Sequence, residues 1–263
     1  MGVKTGCNDA FLVQALEQAL DQALEQRSSG DPPCANDVCR VAANDTTGAI
    51  EQRVLRPVLR GEGLQAWHRP PNDERIIWTH DTLGAPLDRL PAGAHEWLRP
   101  WSRRLSARTD AQGRGAWWQL FRTDAARTDL PRVVWGDIGR TPRAVVLERG
   151  NPAVPLNSCY AILAPSDDDA HALAVLLNAP PIIAWLTMIA EPARGGYHRF
   201  LGWTVARLPI PRDWVRAVDR LAPIGRAAAA GSPPDAATHT AAVLASYHLR
   251  PRDAAALLTW THS

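Results

Sequence analysis

Lysine is nearly missing from this sequence. Of 29 lysines and arginines, Lys4 is the only lysine, so almost every positive charge is a guanidinium. Arginine carries a planar fork of donors suited to phosphates and guanine edges, although coding bias alone explains the ratio. Cysteine is sparse too. Cys7, Cys34, Cys39 and Cys159 are scattered, and no second pair or histidine pair completes a zinc pattern around Cys34 and Cys39. Free thiols in a reducing compartment are expected, which predicts a cytoplasmic protein. No apolar run is long enough to span a bilayer. The first residues lack the basic start and apolar core of a secretory signal.

The motifs of common catalysts are also absent. There is no Walker phosphate loop, no G-x-S-x-G elbow and no H-E-x-x-H pair. Gly61-Glu62-Gly63 and Gly113-Arg114-Gly115 do not sit between a buried strand and a helix, and read as turn glycines. Enzymes that methylate an extruded base hold its amino group with Asn/Asp-Pro-Pro followed by an aromatic ring. Asp31-Pro32-Pro33-Cys34 has three of the four letters, lacks the ring, and reads as a loop. His171, inside a helix, is expected at the surface. His198, in a glycine loop, is within reach of a ligand but most simply a loop residue. No catalytic, cofactor-binding or metal-ligating residue is assigned.

What is present is an uneven charge distribution and many tryptophans. Net charge is +2 over 263 residues, yet residues 97–149 hold 11 arginines against 5 acidic residues, while residues 1–62 hold 6 basic and 9 acidic ones. A basic island of this kind points to a polyanion. Eleven tryptophans are mostly core material.

Along the chain, "GVKTGCNDAFLV" (2–13) reads as strand, tight turn and strand, with Gly6 free to take positive φ. "QALEQALDQALEQR" (14–27) has leucines four apart and predicts a helix. Residues 28–48 are polar and predict a loop, part of a mobile insert. From 53 to about 162, short runs rich in Val, Ile and Trp predict strands, "AWWQLFR" among them. A helix over 92–108 interrupts them, kinked near Pro100. Ser166 caps a helix that ends at Pro180-Pro181, a second apolar helix follows, then the glycine loop "RGGYHRFLGW" and a strand-like "TVARLPIP". Residues 213–263 are helical, with a break near 231–235. The fold class is therefore α+β: a β-rich recognition region followed by a helical region. Three parts are expected: a junction segment with its helical, partly mobile insert (1–52), the β-rich region (53–165) and the helical end (166–263).

Four stretches in this order resemble one family. "GVKTGCNDAFLV" is similar to a G-(I/V)-K-T-G-x-N-x-A-F segment, and "LRPVLRGEGLQAW" to a block that ends on Trp or Tyr. "LSARTD" with "GAWWQLFR", and finally "NSCYAI", "HALAVLLNAPPIIAWL" and "RLPIP", resemble the later blocks. The family is the TaqI-like C-terminal specificity domain of adenine-specific DNA methyltransferases in restriction–modification systems. The resemblance covers about 2–13 and 53–214. It implies duplex DNA as partner, and S-adenosylmethionine on a separate catalytic domain or methyltransferase subunit rather than in this chain. It makes the opening segment the start of the recognition half of a larger enzyme. The alternatives are a specificity subunit acting in trans and a non-functional remnant. Candidate DNA contacts are Arg108, Arg114, Trp118, Arg122, Arg140 and Arg143 on the basic island, and Arg194, Tyr197 and Arg199 in the glycine loop. Of Trp117 and Trp118, strand alternation would turn one ring outward.

Overall fold

The computed structural model describes residues 1–16, 38–109 and 115–260. The chain enters already paired: the Gly2 N–H donates to the Cys159 carbonyl (2.7 Å) and the Val3 N–H to that of Pro155 (2.8 Å). Gly6 takes φ +68° as expected. One helical turn, α1 (Asn8–Phe11), then separates it from strand β1 (Leu12–Ala15). The helix expected from Gln14 begins instead as strand, because Gln14 and Ala15 pair with Ala42 and Val41. The rest of that helix, and the Asp31-Pro32-Pro33-Cys34 loop, lie outside the described residues.

The stretch expected as a loop ends in a hairpin, β2 (Val38–Ala43) and β3 (Thr46–Glu51). Its polar composition disguised it: only Cys39, Val41 and Ile50 are fully buried, on alternating positions, and Asn44 and Asp45 form the turn. Strands β4 (Leu55–Leu59) and β5 (Glu74–Ile77) continue the same sheet, so the division expected at 52/53 runs through it. Helix α2 (Ala92–Leu98), a 3-10 turn at Arg99–Trp101 and α3 (Ser102–Ser106) follow, with Pro100 at the kink. Leu98 and Leu105 bury fully against Phe11, Val41, Ile50, Ile76 and Ile77, forming the first core. "AWWQLFR" is not a strand. It is a turn with one bridge, Phe121 to Lys4, and both Trp117 and Trp118 pack on the first core.

Next in the chain are β6 (Arg132–Gly136), β7 (Ile138–Gly139), β8 (Val145–Leu147), β9 (Val154–Pro155) and β10 (Cys159–Leu163). The six-stranded sheet has the order β3-β2-β1-β5-β4-β9, with β9 parallel to β4, and a three-stranded sheet has β10-β6-β8. Helix α4 (Asp167–Asn178) starts where expected: Ser166 Oγ accepts the Asp169 N–H at 3.1 Å, and three aspartates occupy its first turn. Helix α5 (Pro180–Ile189) begins at the proline pair. The glycine loop is itself a hairpin, β11 (Glu191–Ala193) and β12 (Tyr197–Arg199). "TVARLPIP" is not a strand: it contains the end of α6 (Gly202–Val205) and irregular chain. Helices α7 (Trp214–Ala229), α8 (Ala236–Ser246) and α9 (Ala255–Trp260) complete the helical end.

Helices α4, α5 and α7 pack with Trp135, Phe200 and Leu221 into a second core. Helices α4 and α7 approach closely because Gly225 has no side chain, and a Cβ there would lie 2.6 Å from the His171 carbonyl oxygen. That approach buries His171, which was expected at the surface. The fold is α+β. Among the described residues, no single helix is long and apolar enough to cross a membrane.

Candidate nucleic-acid interface

A third sheet, β11-β12-β7, stands at the edge of the second core. Arg199 pairs with Ile138 on one side and Glu191 on the other. Alternation along β12 puts Tyr197 and Arg199 on one face, while His198 turns toward the Phe200 ring (centroids 6.3 Å). His198 Nδ1 is buried without a hydrogen-bond partner. Phe200 is fully buried, its N–H donates to the Asp137 carbonyl (2.8 Å), and its carbonyl accepts from Trp135 Nε1 (2.7 Å). Trp135 in turn stacks on Tyr160, with ring planes 16° apart. The hairpin is thus rooted in packed aromatics while its tip is exposed.

That tip is Arg194-Gly195-Gly196. Both glycines take positive φ (71° and 74°), which a side chain rarely tolerates. Arg194, Tyr197 and Arg199 line a shallow concavity with Ile138, Pro192 and Ala193. Arg140, just past β7, sets its guanidinium 5.6 Å from the Tyr197 ring centroid. Burial raises the Asp137 carboxyl above the usual range, and the Ile138 N–H, then Arg199, pull it partly back. The result is three exposed guanidiniums around an exposed aromatic ring on a short sheet. Such a group can grip phosphates and stack or hydrogen-bond at base edges.

Of the nine sequence candidates, Arg140, Arg194, Tyr197 and Arg199 come together here. The others do not join them. Arg114 lies outside the described residues. Arg108 spends four donors on the carbonyls of Leu105, Thr5, Trp117 and Gln119, and its guanidinium sits 5.0 Å from the Phe121 centroid. Trp118 is half-buried and donates Nε1–H to the Leu87 carbonyl, so it is a packed residue rather than an outward ring. Arg143 bonds the Leu64 carbonyl at 3.2 Å. Arg122 is exposed, at φ 58°, with its guanidinium against the Met1 sulfur.

Part of the basic island is therefore internal carpentry, while Arg99, Arg103, Arg104, Arg122, Arg140 and Arg149 stay exposed. Arg132 is fully buried on the Ala125, Asn151 and Ala153 carbonyls, Arg127 pairs with Asp129, and Arg149 bonds the Asp129 carbonyl. Sequence reasoning missed Ile138 and Pro192, which shape the concavity. The usable signal was local: a Gly-Gly turn followed by an alternating Tyr-x-Arg.

The class defined by these observations is an α+β protein with two main packed cores and a short arginine-bearing sheet at the edge of the second. No family model matches the chain, and no curated protein matches it. One similar solved structure is that of MmeI, a type IIL restriction-modification enzyme in complex with DNA. Identity is 11% and the TM-score 0.57, over 99% of this chain and 34% of that one. The likeness is one of fold, and this chain spans about a third of that enzyme's length.

Proposed function

We propose that the chain is a duplex-DNA recognition module of a restriction–modification enzyme, with the β11-β12-β7 sheet in contact with DNA. The observation that carries this reading is the convergence of Arg140, Arg194, Tyr197 and Arg199 on one exposed sheet, in a fold shared with part of an enzyme solved on DNA. The guanidiniums neutralise phosphates, and the Tyr197 ring with its neighbours meets the groove. Chemistry belongs to a catalytic domain or subunit that binds S-adenosylmethionine. The resemblance to TaqI-like specificity domains makes that partner an adenine-specific methyltransferase.

The test is fluorescence anisotropy of a random duplex pool at several salt concentrations, followed by selection and sequencing. Salt-sensitive binding that enriches one short motif supports a specificity module. Salt-sensitive binding without enrichment supports a phosphate grip that reads bases only with its catalytic partner. A folded, monodisperse sample that binds no duplex at low salt overturns the proposal.

A further inference from the structure

A second site lies away from that sheet. A cleft of about 590 Å³ opens between β4, β8 and the start of α4. Its size suits a small ligand, and it lies where the two main cores meet. One wall is flat and apolar: the half-buried Trp67 ring, with Pro70 and Pro71 beside it. Trp67 holds φ 70°, unusual for a bulky residue. It is pinned there by its N–H to the Ala144 carbonyl (3.0 Å) and by its ring against His239 (5.5 Å). Arg69, two residues on from Trp67, is exposed and makes no hydrogen bond or ion pair among the described residues.

The lining also carries a dyad of one buried and one exposed partner, His171 and Glu148. His171 is 1% exposed, and its Nε2 meets Glu148 Oε1 at 2.9 Å. His171 Nδ1 is buried without a partner. Glu148 is exposed, and its second oxygen is left open as an acceptor. Asn151 and Pro152 close the floor. Behind them lie two buried guanidiniums: Arg132 bonds the Asn151 carbonyl and Arg56 the Pro152 carbonyl. Their bonding partners are all carbonyls, so no carboxylate offsets either charge by direct contact. Burial drives their pKa values down, to about 9 for Arg56 and about 10 for Arg132, while both remain charged at neutral pH. Two buried cations behind the floor and one open cation at the rim outnumber the single Glu148 carboxylate of the lining, which favours a ligand carrying an anionic group.

We propose that this cleft binds a nucleotide, its base against Trp67 and the prolines, an exocyclic amine on Glu148, and its phosphate on Arg69. All three features line the same cleft: a flat face for stacking, a carboxylate oxygen for a donor and a free guanidinium for a phosphate. The nucleotide comes either from a bound duplex, extruded from the stack, or from solution.

The experiment is calorimetric titration of the intact chain with deoxyadenosine monophosphate, deoxyadenosine and deoxyinosine monophosphate, repeated with Arg69→Ala and Glu148→Gln. Both substitutions are at exposed side chains, and circular dichroism checks their folding. Arg69→Ala is expected to weaken the monophosphate about tenfold and leave deoxyadenosine unchanged. Glu148→Gln is expected to erase the preference for the adenine over the hypoxanthine nucleotide. Absence of binding at millimolar ligand overturns the proposal, as does binding that neither substitution changes. A duplex with one unpaired 2-aminopurine separates the sources. A fluorescence change competed by free nucleotide identifies an extruded base, and binding of the free nucleotide with a silent duplex probe identifies the solution species. Salt-dependent duplex binding through the hairpin is read separately, so failure here leaves the recognition module standing.

Discussion

Replacing Arg108 by Met separates an internal tie from a DNA contact. Four of its five N–H donors bond carbonyls on three separated segments: Thr5 near the start of the chain, Leu105 at the end of α3, and Trp117 and Gln119 in the tryptophan turn. Met keeps much of the volume and none of the donors. Each bond to a charged donor is worth about 1.5–3 kcal/mol, and bonds that share one side chain are not additive. A loss of about 3–5 kcal/mol is expected, a large share of the roughly 5–15 kcal/mol that holds an ordinary domain together. Arg108→Lys should recover little, because an ammonium presents its donors from one point and cannot reach three segments. Urea unfolding followed by far-ultraviolet circular dichroism gives the stability, and duplex binding against salt gives the contact count. A fall in unfolding midpoint with an unchanged salt slope is expected. Stability within about 0.5 kcal/mol of the parent, together with a shallower slope, would refute the reasoning and return Arg108 to the DNA face.

Three further outcomes are expected. Arg194→Ala and Arg199→Ala should each flatten the dependence of log K on log salt by about 0.9 if each neutralises one phosphate, with unfolding curves unchanged. Acid should destabilise the fold through His80, whose burial, only partly countered by Asp81, lowers its pKa from 6.5 to about 4. The unfolded chain takes up that proton below pH 6.5 and the folded chain only near 4, so the stability present above 6.5 falls through this window by up to about 3 kcal/mol. His80 Nε2 accepts the Leu120 N–H, a bond that protonation breaks. His80→Gln should remove this part of the slope in urea midpoints taken from pH 7 to 4. Gly61→Ala should cost about 1–3 kcal/mol or more, because its Cβ would fall 2.1 Å from the Ser158 carbonyl oxygen and 2.9 Å from Gly136 Cα, and neither backbone can yield cheaply. A thermal midpoint equal to the parent's would show that the close approach is not needed.

Elements whose signals are local were legible from the residues alone. Ser166 with its following aspartates, the Pro180-Pro181 start, the Pro100 kink and the positive φ of Gly6 all depend on a few neighbouring residues. Short runs of β-branched, aromatic and other apolar residues, such as β6 and β10, were equally plain. The β2–β3 hairpin was not, because its apolar face is only one residue in two and its turn is polar. "AWWQLFR" misled in the other direction: its strand-forming residues found partners in the first core and in Arg108, not in a neighbouring strand. A strand needs a paired edge as well as the right side chains.

The candidate interface shows the same division. Composition announced arginine, and the Gly-Gly-Tyr-x-Arg pattern marked a turn with ligand-capable side chains. Which guanidiniums face solvent depends on whether a carbonyl lies within reach after folding. Arg108 and Arg132 met such carbonyls, and Arg194 and Arg199 did not. His171 is likewise buried by a helix packed over Gly225, far along the chain. By itself, then, the sequence determined residue supply, local caps and turns, and the α+β class. Only the tertiary structure decided which charges are spent on the fold and which stay exposed, because the groups that spend them come from segments distant in the chain.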